Sequence, residues 1–116
     1  MRHYATIAAA ALLVACATFE PGHLVKPTLT THPGNYLETV GVEQHSKSDV
    51  MSRFGPPSQT IESEGMEHWS YRLSEGGARR TFIYVFDGDV LHDVRYQESG
   101  LTGPYDGMSA RDVQGL

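Results

Sequence analysis

Cysteine is almost absent from this sequence, since Cys16 is the only one in 116 residues. A single thiol excludes a small exported scaffold held together by internal disulfides. Positive charge is also scarce, with 9 Lys and Arg against 14 Asp and Glu and a formal net charge of −5. Arg79-Arg80 is the only adjacent basic pair, which is too little for the basic surface that nucleic-acid binding requires. We therefore expect no nucleic-acid partner.

Long hydrophobic runs are lacking apart from residues 5–15, a small and apolar stretch that follows Arg2. This run is shorter than the roughly 20 apolar residues of a membrane-spanning helix, and its layout is typical of an export signal. We predict that residues 1–15 are a signal peptide. The remaining 101 of the 116 residues would carry a formal charge of −6, because Arg2 is the only charged residue removed. That length accommodates one small domain.

The run ends in Leu13-Val14-Ala15-Cys16, which resembles the lipobox of bacterial lipoproteins. The resemblance implies cleavage after Ala15 and attachment of lipid to Cys16, which would anchor the chain to a membrane. Ala17 rather than Asp at the next position favours the periplasmic face of the outer membrane, with the inner membrane as the alternative. The competing interpretation is an ordinary secretory signal that leaves Cys16 as a free thiol.

The rest of the chain divides into three parts. Residues 16–33 have few apolar side chains and are interrupted by Pro21 and Pro27, so we predict a flexible tether. The alternative is that part of this segment lies against the domain as irregular structure. Residues 34–96 are predicted to form the domain. Residues 97–116 are rich in turn formers and are predicted to be a mobile C-terminal tail, or a single docked turn.

One helix is well marked within the predicted domain. Ser46 followed by Asp49 is typical of a helix N-terminus, and Gly55 with two prolines after it ends the helix. Residues 36–40 form either one helical turn or a short extended segment. Near the C-terminus, Ser109 begins a repeat of the Ser-x-x-Asp-Val pattern, which we interpret as an aborted helix start.

Three strands follow the helix. Their residues alternate in polarity or are rich in β-branched and aromatic side chains, as strands are. The predicted strands span residues 67–73, 80–86 and 89–96, with a further edge segment around residues 60–62. The expected fold class is α+β, with one or two short helices packed on a three-stranded antiparallel sheet.

The order of these features resembles the SmpA/OmlA (BamE-like) family of outer-membrane lipoproteins. The residues that carry the resemblance are Gly34, Asn35, Tyr36 and Leu37, the helix 46–54 with Gly55 and Pro56, Trp69, Tyr71 and residues 86–91. It implies a two-layer sandwich without catalytic activity. It also implies an accessory role in the machine that inserts β-barrel proteins into the outer membrane.

The resemblance places Asn35, Tyr36 and Leu37 in contact with a partner or with phospholipid, because the Gly-Asn-Tyr-Leu segment of the family is associated with such contacts. The same small fold occurs in unrelated envelope lipoproteins and in a secreted inhibitor of β-lactamases. A free-standing periplasmic inhibitor or ligand-binding lipoprotein is therefore the alternative function.

Residues for catalysis or for a metal site are not apparent. The six histidines include no pair at the i, i+4 spacing of a helix or the i, i+2 spacing of a strand. The only thiol is assigned to lipid, and Asp87, Asp89 and Asp93 are explained by a turn and a solvated strand edge. We expect neither enzymatic activity nor a cofactor.

The second hairpin supplies the candidate contact surface. With Asp87 and Gly88 as the turn residues, Tyr84 pairs with Leu91 and both faces of the hairpin are apolar. Helices cover only one of these faces. We expect the uncovered face to bear Phe82, Tyr84 and Leu91 and to dock an envelope protein or a second copy of the chain. The alternatives are that the tether or the tail folds over it, or that a β-bulge changes the register.

Overall fold

A computed structural model describes residues 23–100 and 103–116 of the chain. The predicted signal peptide and the lipidation site at Cys16 lie outside the described residues. In chain order the elements are helices α1 (Pro33–Thr39) and α2 (Lys47–Phe54), strands β1 (Gln59–Ser63), β2 (Met66–Glu75), β3 (Ala78–Asp87) and β4 (Val90–Ser99), and helix α3 (Ala110–Gln114). The fold class is α+β.

The strands form one antiparallel sheet in the order β1-β2-β3-β4. The predicted count of three strands is wrong, because the segment around residues 60–62 forms a fourth strand at the edge. A two-residue turn joins β1 to β2, and Glu64 and Gly65 both have positive φ, 55° and 78°, as a type I′ turn requires. All five β1 side chains are exposed, so no burial pattern marks this strand in the sequence.

Helix α1 includes most of residues 36–40, for which the sequence predicted either a helical turn or a short extended segment. Pro33 occupies the first helical position, where its missing N–H costs no hydrogen bond. The His32 ring accepts a hydrogen bond from the Asn35 backbone N–H at 3.1 Å and caps the helix. The buried face of α1 then carries Tyr36 and Leu37 into the core.

Helix α2 begins and ends as predicted. The Ser46 hydroxyl accepts a hydrogen bond from the Asp49 N–H, and the Asp49 carboxylate accepts one from the Ser46 N–H, both at 3.1 Å. This reciprocal capping box satisfies two helix-end donors. Gly55, at φ 80°, ends the helix. Val50 and Phe54 lie on its buried side.

The helices cover one face of the sheet with a largely aromatic core. Phe54 of α2 contacts the rings of Tyr71 and Tyr84 at centroid distances of 5.6 and 5.3 Å. Tyr36 of α1 contacts Phe82 at 5.2 Å. These contacts are edge-to-face, the arrangement favoured by aromatic quadrupoles. The largest fully buried sheet side chains all lie on this face: Phe82, Tyr84, Phe86, Leu91, Val94 and Tyr96.

The turn between β3 and β4 is one residue later than predicted. Asp87 pairs with Val90, so Gly88 and Asp89 are the two turn residues. Gly88 has φ 60°, and a glycine with positive φ at the first turn position is typical of a type II′ turn. The sequence pattern Asp-Gly identified the turn but misplaced its centre.

A β-bulge at His92 moves the register again. Beyond it Tyr84 pairs with Val94, whereas the predicted partner was Leu91. An extra residue in one strand sends every later side chain to the opposite face. Val94 therefore turns into the core instead of joining the uncovered face.

The described residues of the C-terminal segment, 97–100 and 103–116, pack on the domain, which agrees with the alternative of a docked turn and not with a mobile tail. Strand β4 continues to Ser99, past the predicted domain end at residue 96. Ser109 caps α3 by accepting a backbone N–H. The Gln114 side-chain amide donates to the Leu37 and Val40 carbonyls at 2.8 and 2.9 Å. Helix α3 is therefore docked against the end of α1, whose last carbonyls lack partners within the helix.

Part of the predicted tether is also packed on the domain. The His23 N–H donates to the Thr39 carbonyl at 3.1 Å, and the His23 carbonyl accepts from the Gly41 N–H at 2.8 Å. Leu24 retains only 4% of its surface. From residue 23 onward the segment therefore lies against the domain as irregular structure.

Candidate functional site: the open face of the sheet

Most of the residues predicted to contact a partner are buried. None of them exposes more than 8% of its surface: Tyr36, Leu37, Phe82, Tyr84 and Leu91. Asn35 is the one member of the predicted set that is exposed. The prediction that the uncovered face bears Phe82, Tyr84 and Leu91 is therefore wrong, because α1 and α2 cover that face.

Tyr36 and Tyr84 form a buried hydrogen-bonded pair. Their hydroxyl oxygens are 2.5 Å apart, and Tyr36 donates its O–H to the Val25 carbonyl at 2.7 Å. Since a hydroxyl has one proton to donate, Tyr84 is the donor to Tyr36. Burial raises the pKa of both phenols because the phenolate would lose its hydration. These neutral side chains tie the segment before α1 to the sheet.

The opposite side of the sheet, which we call the open face, has no described helix packed on it. The bulge at His92 decides which β4 side chains reach it, because Val94 and Tyr96 turn inward while Asp93 and Arg95 turn outward. The central residues of the open face, in register across the four strands, are Gln59, Ile61, His68, Ser70, Arg72, Arg79, Thr81, Ile83, Val85, Asp93, Arg95 and Gln97.

The open face is mixed in polarity rather than apolar. Ile61 exposes 48% of its surface, whereas Ile83 is half-buried and Val85 is buried between its neighbours. Two shallow hollows lie along it. The larger, of about 330 Å³, includes Arg72 and Thr81 in its lining. The smaller, of about 200 Å³, includes His68, Val85, Asp93 and Arg95.

Three arginines give the open face its charge. Arg72 donates to the Gln59 side chain at 2.9 Å. The guanidinium groups of Arg79 and Arg95 have no ion pair or hydrogen bond to any described residue. Asp93 is the one acidic residue at its centre, and its Oδ1 already accepts two backbone N–H groups. An acidic chain thus presents unpaired positive charge here.

The other described cations are engaged elsewhere. Lys47 and Arg111 form ion pairs with Glu67 and Glu43 at 2.6 and 3.0 Å. The remaining three donate to backbone carbonyls: Lys26, Arg53 and Arg80. Free guanidinium groups are therefore found on the open face and not on the helical side. Such groups suit recognition of carboxylates, which accept two parallel N–H bonds.

A metal centre is not formed by residues 23–100 and 103–116. No three His, Cys, Asp or Glu side chains in those ranges are grouped as metal ligands. No described helix is long and apolar enough to cross a membrane.

No protein-family profile, curated protein or solved structure matches this chain.

Sequence reasoning missed the three arginines of the open face. Arg72 alternates with Tyr71 and Leu73 in β2, and that alternation already places it opposite the aromatic side. Arg95 lies between Val94 and Tyr96 in β4, so the same alternation separates it from two apolar neighbours. The bulge at His92 shifts the phase of this alternation relative to Leu91, and it therefore decides which face Arg95 takes.

Proposed function

We propose that this chain is a lipid-anchored protein of the bacterial envelope that binds another envelope protein through the open face, without catalysis. The observation that carries the proposal is the open face itself, with the unpaired guanidinium groups of Arg79 and Arg95. Exposed guanidinium groups without internal partners create a local positive potential, which steers and selects a partner of opposite charge. We infer that the partner presents carboxylates.

The resemblance to the SmpA/OmlA family supports a place beside the outer-membrane barrel-assembly machine. In that proposal the helices and the sheet correspond to the two layers of the family sandwich, with β1 as an addition. Asn35 is then the exposed member of the Gly-Asn-Tyr-Leu segment that meets a partner or a phospholipid headgroup, while Tyr36 and Leu37 hold the segment in place.

Site-specific photocrosslinking in cells tests the open face. A photoreactive side chain at Thr81, at the centre of the face, should capture an envelope protein, and one at the exposed Ser52 of α2 should not. Capture of barrel-assembly subunits supports the adaptor role. Capture of a soluble periplasmic enzyme favours the inhibitor alternative. Equal capture from both positions contradicts the proposed surface.

Reversal of the open-face charge should weaken partner binding. We expect Arg79→Glu with Arg95→Glu to lower the affinity by on the order of tenfold or more, because attraction becomes repulsion across the interface. The control is Arg79→Lys with Arg95→Lys, which keeps the charge. Affinity is measured with the partner identified by crosslinking, alongside thermal melts. Unchanged affinity in the Glu variant would contradict the role of these arginines.

Replacement of the single cysteine tests the anchor. We expect Cys16→Ser to abolish lipid attachment, so that the protein accumulates as an unprocessed precursor or leaves the membrane fraction. Mass spectrometry of fractionated cells measures both outcomes, and Ala17→Ser serves as the neighbouring control. Recovery of Cys16→Ser in membranes at the normal mature mass would refute the anchor.

A further inference from the structure

The two edges of the sheet are treated differently by the rest of the chain. Along β4, the Leu91 carbonyl accepts from the Glu43 N–H at 2.7 Å, and the Tyr96 N–H donates to the Met108 carbonyl at 2.9 Å. Two segments of the chain thus cover that edge. Along β1, no described residue pairs with the outer edge, and all five side chains are exposed. An uncovered edge offers free backbone donors and acceptors to another strand.

The free backbone groups of β1 can be assigned from its register. Ser63 and Met66 flank a two-residue turn, and residues in that position exchange both of their hydrogen bonds. Bonding to β2 alternates from there, so Ser63, Ile61 and Gln59 point their backbone groups at β2. Thr60 and Glu62 therefore point theirs outward.

We propose that this edge pairs with the β1 edge of a second copy of the chain, antiparallel, about a two-fold axis at Ile61. In that register the outward backbone groups of Thr60 bond those of Glu62 in the second copy, and the outward backbone groups of Glu62 bond those of Thr60 in the second copy. The Ile61 residues of the two copies lie directly opposite each other. They form a pair that makes no backbone hydrogen bonds, and in such pairs the side chains lie closest. Ile61 exposes 48% of its surface, and this contact covers it.

The charges on β1 select this register over its neighbours. An axis at Glu62 would place two carboxylates directly opposite each other, which is destabilising. An axis at Thr60 would leave each Ile61 beside Gln59 of the second copy. With the axis at Ile61, the Thr60 hydroxyl is placed to donate to the Glu62 carboxylate of the second copy.

The strand also lacks the usual protection of an edge. Neither lysine nor proline lies between Gln59 and Ser63, and the one charged side chain, Glu62, is exposed. Pro57 on one side and the Glu64-Gly65 turn on the other limit the overlap to the five residues of β1. The two sheets would then form one continuous sheet, with their open faces side by side.

Disulfide crosslinking between single cysteines tests the register. In antiparallel pairs without backbone bonds the Cα atoms are about 4.5 Å apart, within the roughly 4.4–6.8 Å that a disulfide spans. We expect Ile61→Cys, in the full chain purified from membranes, to form a covalent dimer under mild oxidation. The unsubstituted chain controls for the thiol of Cys16.

A mixing experiment distinguishes this pairing from other contacts. Gln59 should face Ser63 of the second copy, while the two Gln59 residues lie roughly 14 Å apart at about 3.4 Å per residue. We expect a mixture of Gln59→Cys and Ser63→Cys chains, carrying different tags, to crosslink. Neither chain should crosslink alone. Crosslinking of Gln59→Cys alone, or none at any of the three positions, overturns the proposal.

The oligomeric state provides a second test that needs no cysteine. Ile61→Lys places two positive charges opposite each other at the axis, whereas Ile61→Val keeps the apolar pair on the same exposed position. In sedimentation experiments we expect the unsubstituted chain and Ile61→Val to reach the mass of a dimer with rising concentration. Ile61→Lys should remain a monomer, and its melt should match that of the unsubstituted chain at dilutions where the unsubstituted chain is also a monomer. A monomeric unsubstituted chain at every concentration would refute the pairing.

Discussion

At the scale of single residues, the two buried tyrosines differ in what depends on them. The Tyr36 hydroxyl accepts from Tyr84 and donates to the Val25 carbonyl, whereas Tyr84 has one described hydroxyl partner. Tyr36→Phe therefore leaves the fully buried Tyr84 hydroxyl without a partner. Tyr84→Phe leaves the bond from Tyr36 to Val25 intact.

This asymmetry predicts unequal losses of stability. We expect Tyr36→Phe to lower the free energy of unfolding by about 1–3 kcal/mol and Tyr84→Phe by about 1 kcal/mol. The first variant leaves a buried hydroxyl without any partner, and this costs more than the removal of one hydrogen bond together with its donor. The double variant should cost less than the two single losses added together. Denaturant titrations of all four proteins measure this. Larger loss from Tyr84→Phe would contradict the assigned direction of donation.

The same residues mark where sequence reasoning stops. Hydrophobic periodicity identifies Tyr36, Leu37, Tyr84 and Leu91 as apolar side chains that need a cover, and the structure supplies one. Periodicity does not predict which face of a hairpin the helices cover when both faces are apolar. That choice depends on the packing of α1 and α2, which is tertiary and leaves no local signature.

At the scale of elements, helix α2 follows from the sequence because its signals are local. The pattern from Ser46 to Asp49 and the glycine at residue 55 act within a few residues of the chain, and the structure contains both caps. The β3–β4 hairpin does not follow in the same way. A bulge at His92 is favoured by the burial of Val94 and Tyr96 against partners distant in sequence, so the turn pattern alone gives the wrong register.

The cap of α2 gives a prediction for one hydroxyl. We expect Ser46→Ala to cost on the order of 1 kcal/mol of stability, because the Asp49 N–H loses its acceptor. Ser48→Ala is the matched control, since the only hydrogen bond of the Ser48 hydroxyl to a described residue is the one with the Ser46 hydroxyl and alanine is favourable in a helix. Thermal melts compare the two variants. Equal effects would show that the cap contributes nothing specific.

At the scale of the whole molecule, short local elements are held together by the ends of the described chain. His23 bonds to the end of α1, and residues 107–109 bond along β4. Arg111 adds bonds to the Glu43 carboxylate and to the His92 carbonyl at 3.0 and 3.2 Å. Neither end contains a hydrophobic period, which explains why a tether and a tail were predicted for segments that complete the fold.

The last prediction concerns the C-terminal segment as a cover for the β4 edge. Deletion of residues 107–116 removes the backbone bonds that Gly107 and Met108 make with Tyr96 at the β4 edge, together with the Gln114 amide at the end of α1. We expect this variant to melt at lower temperature and to aggregate, because it exposes unpaired carbonyls at the end of α1 and frees the edge of β4 around Tyr96. The control deletion of residues 115–116 keeps Gln114 and removes only residues that are already exposed. Melting followed by light scattering compares the two variants. If both behave like the intact chain, α3 is a passive end and the free edge of β4 needs no cover.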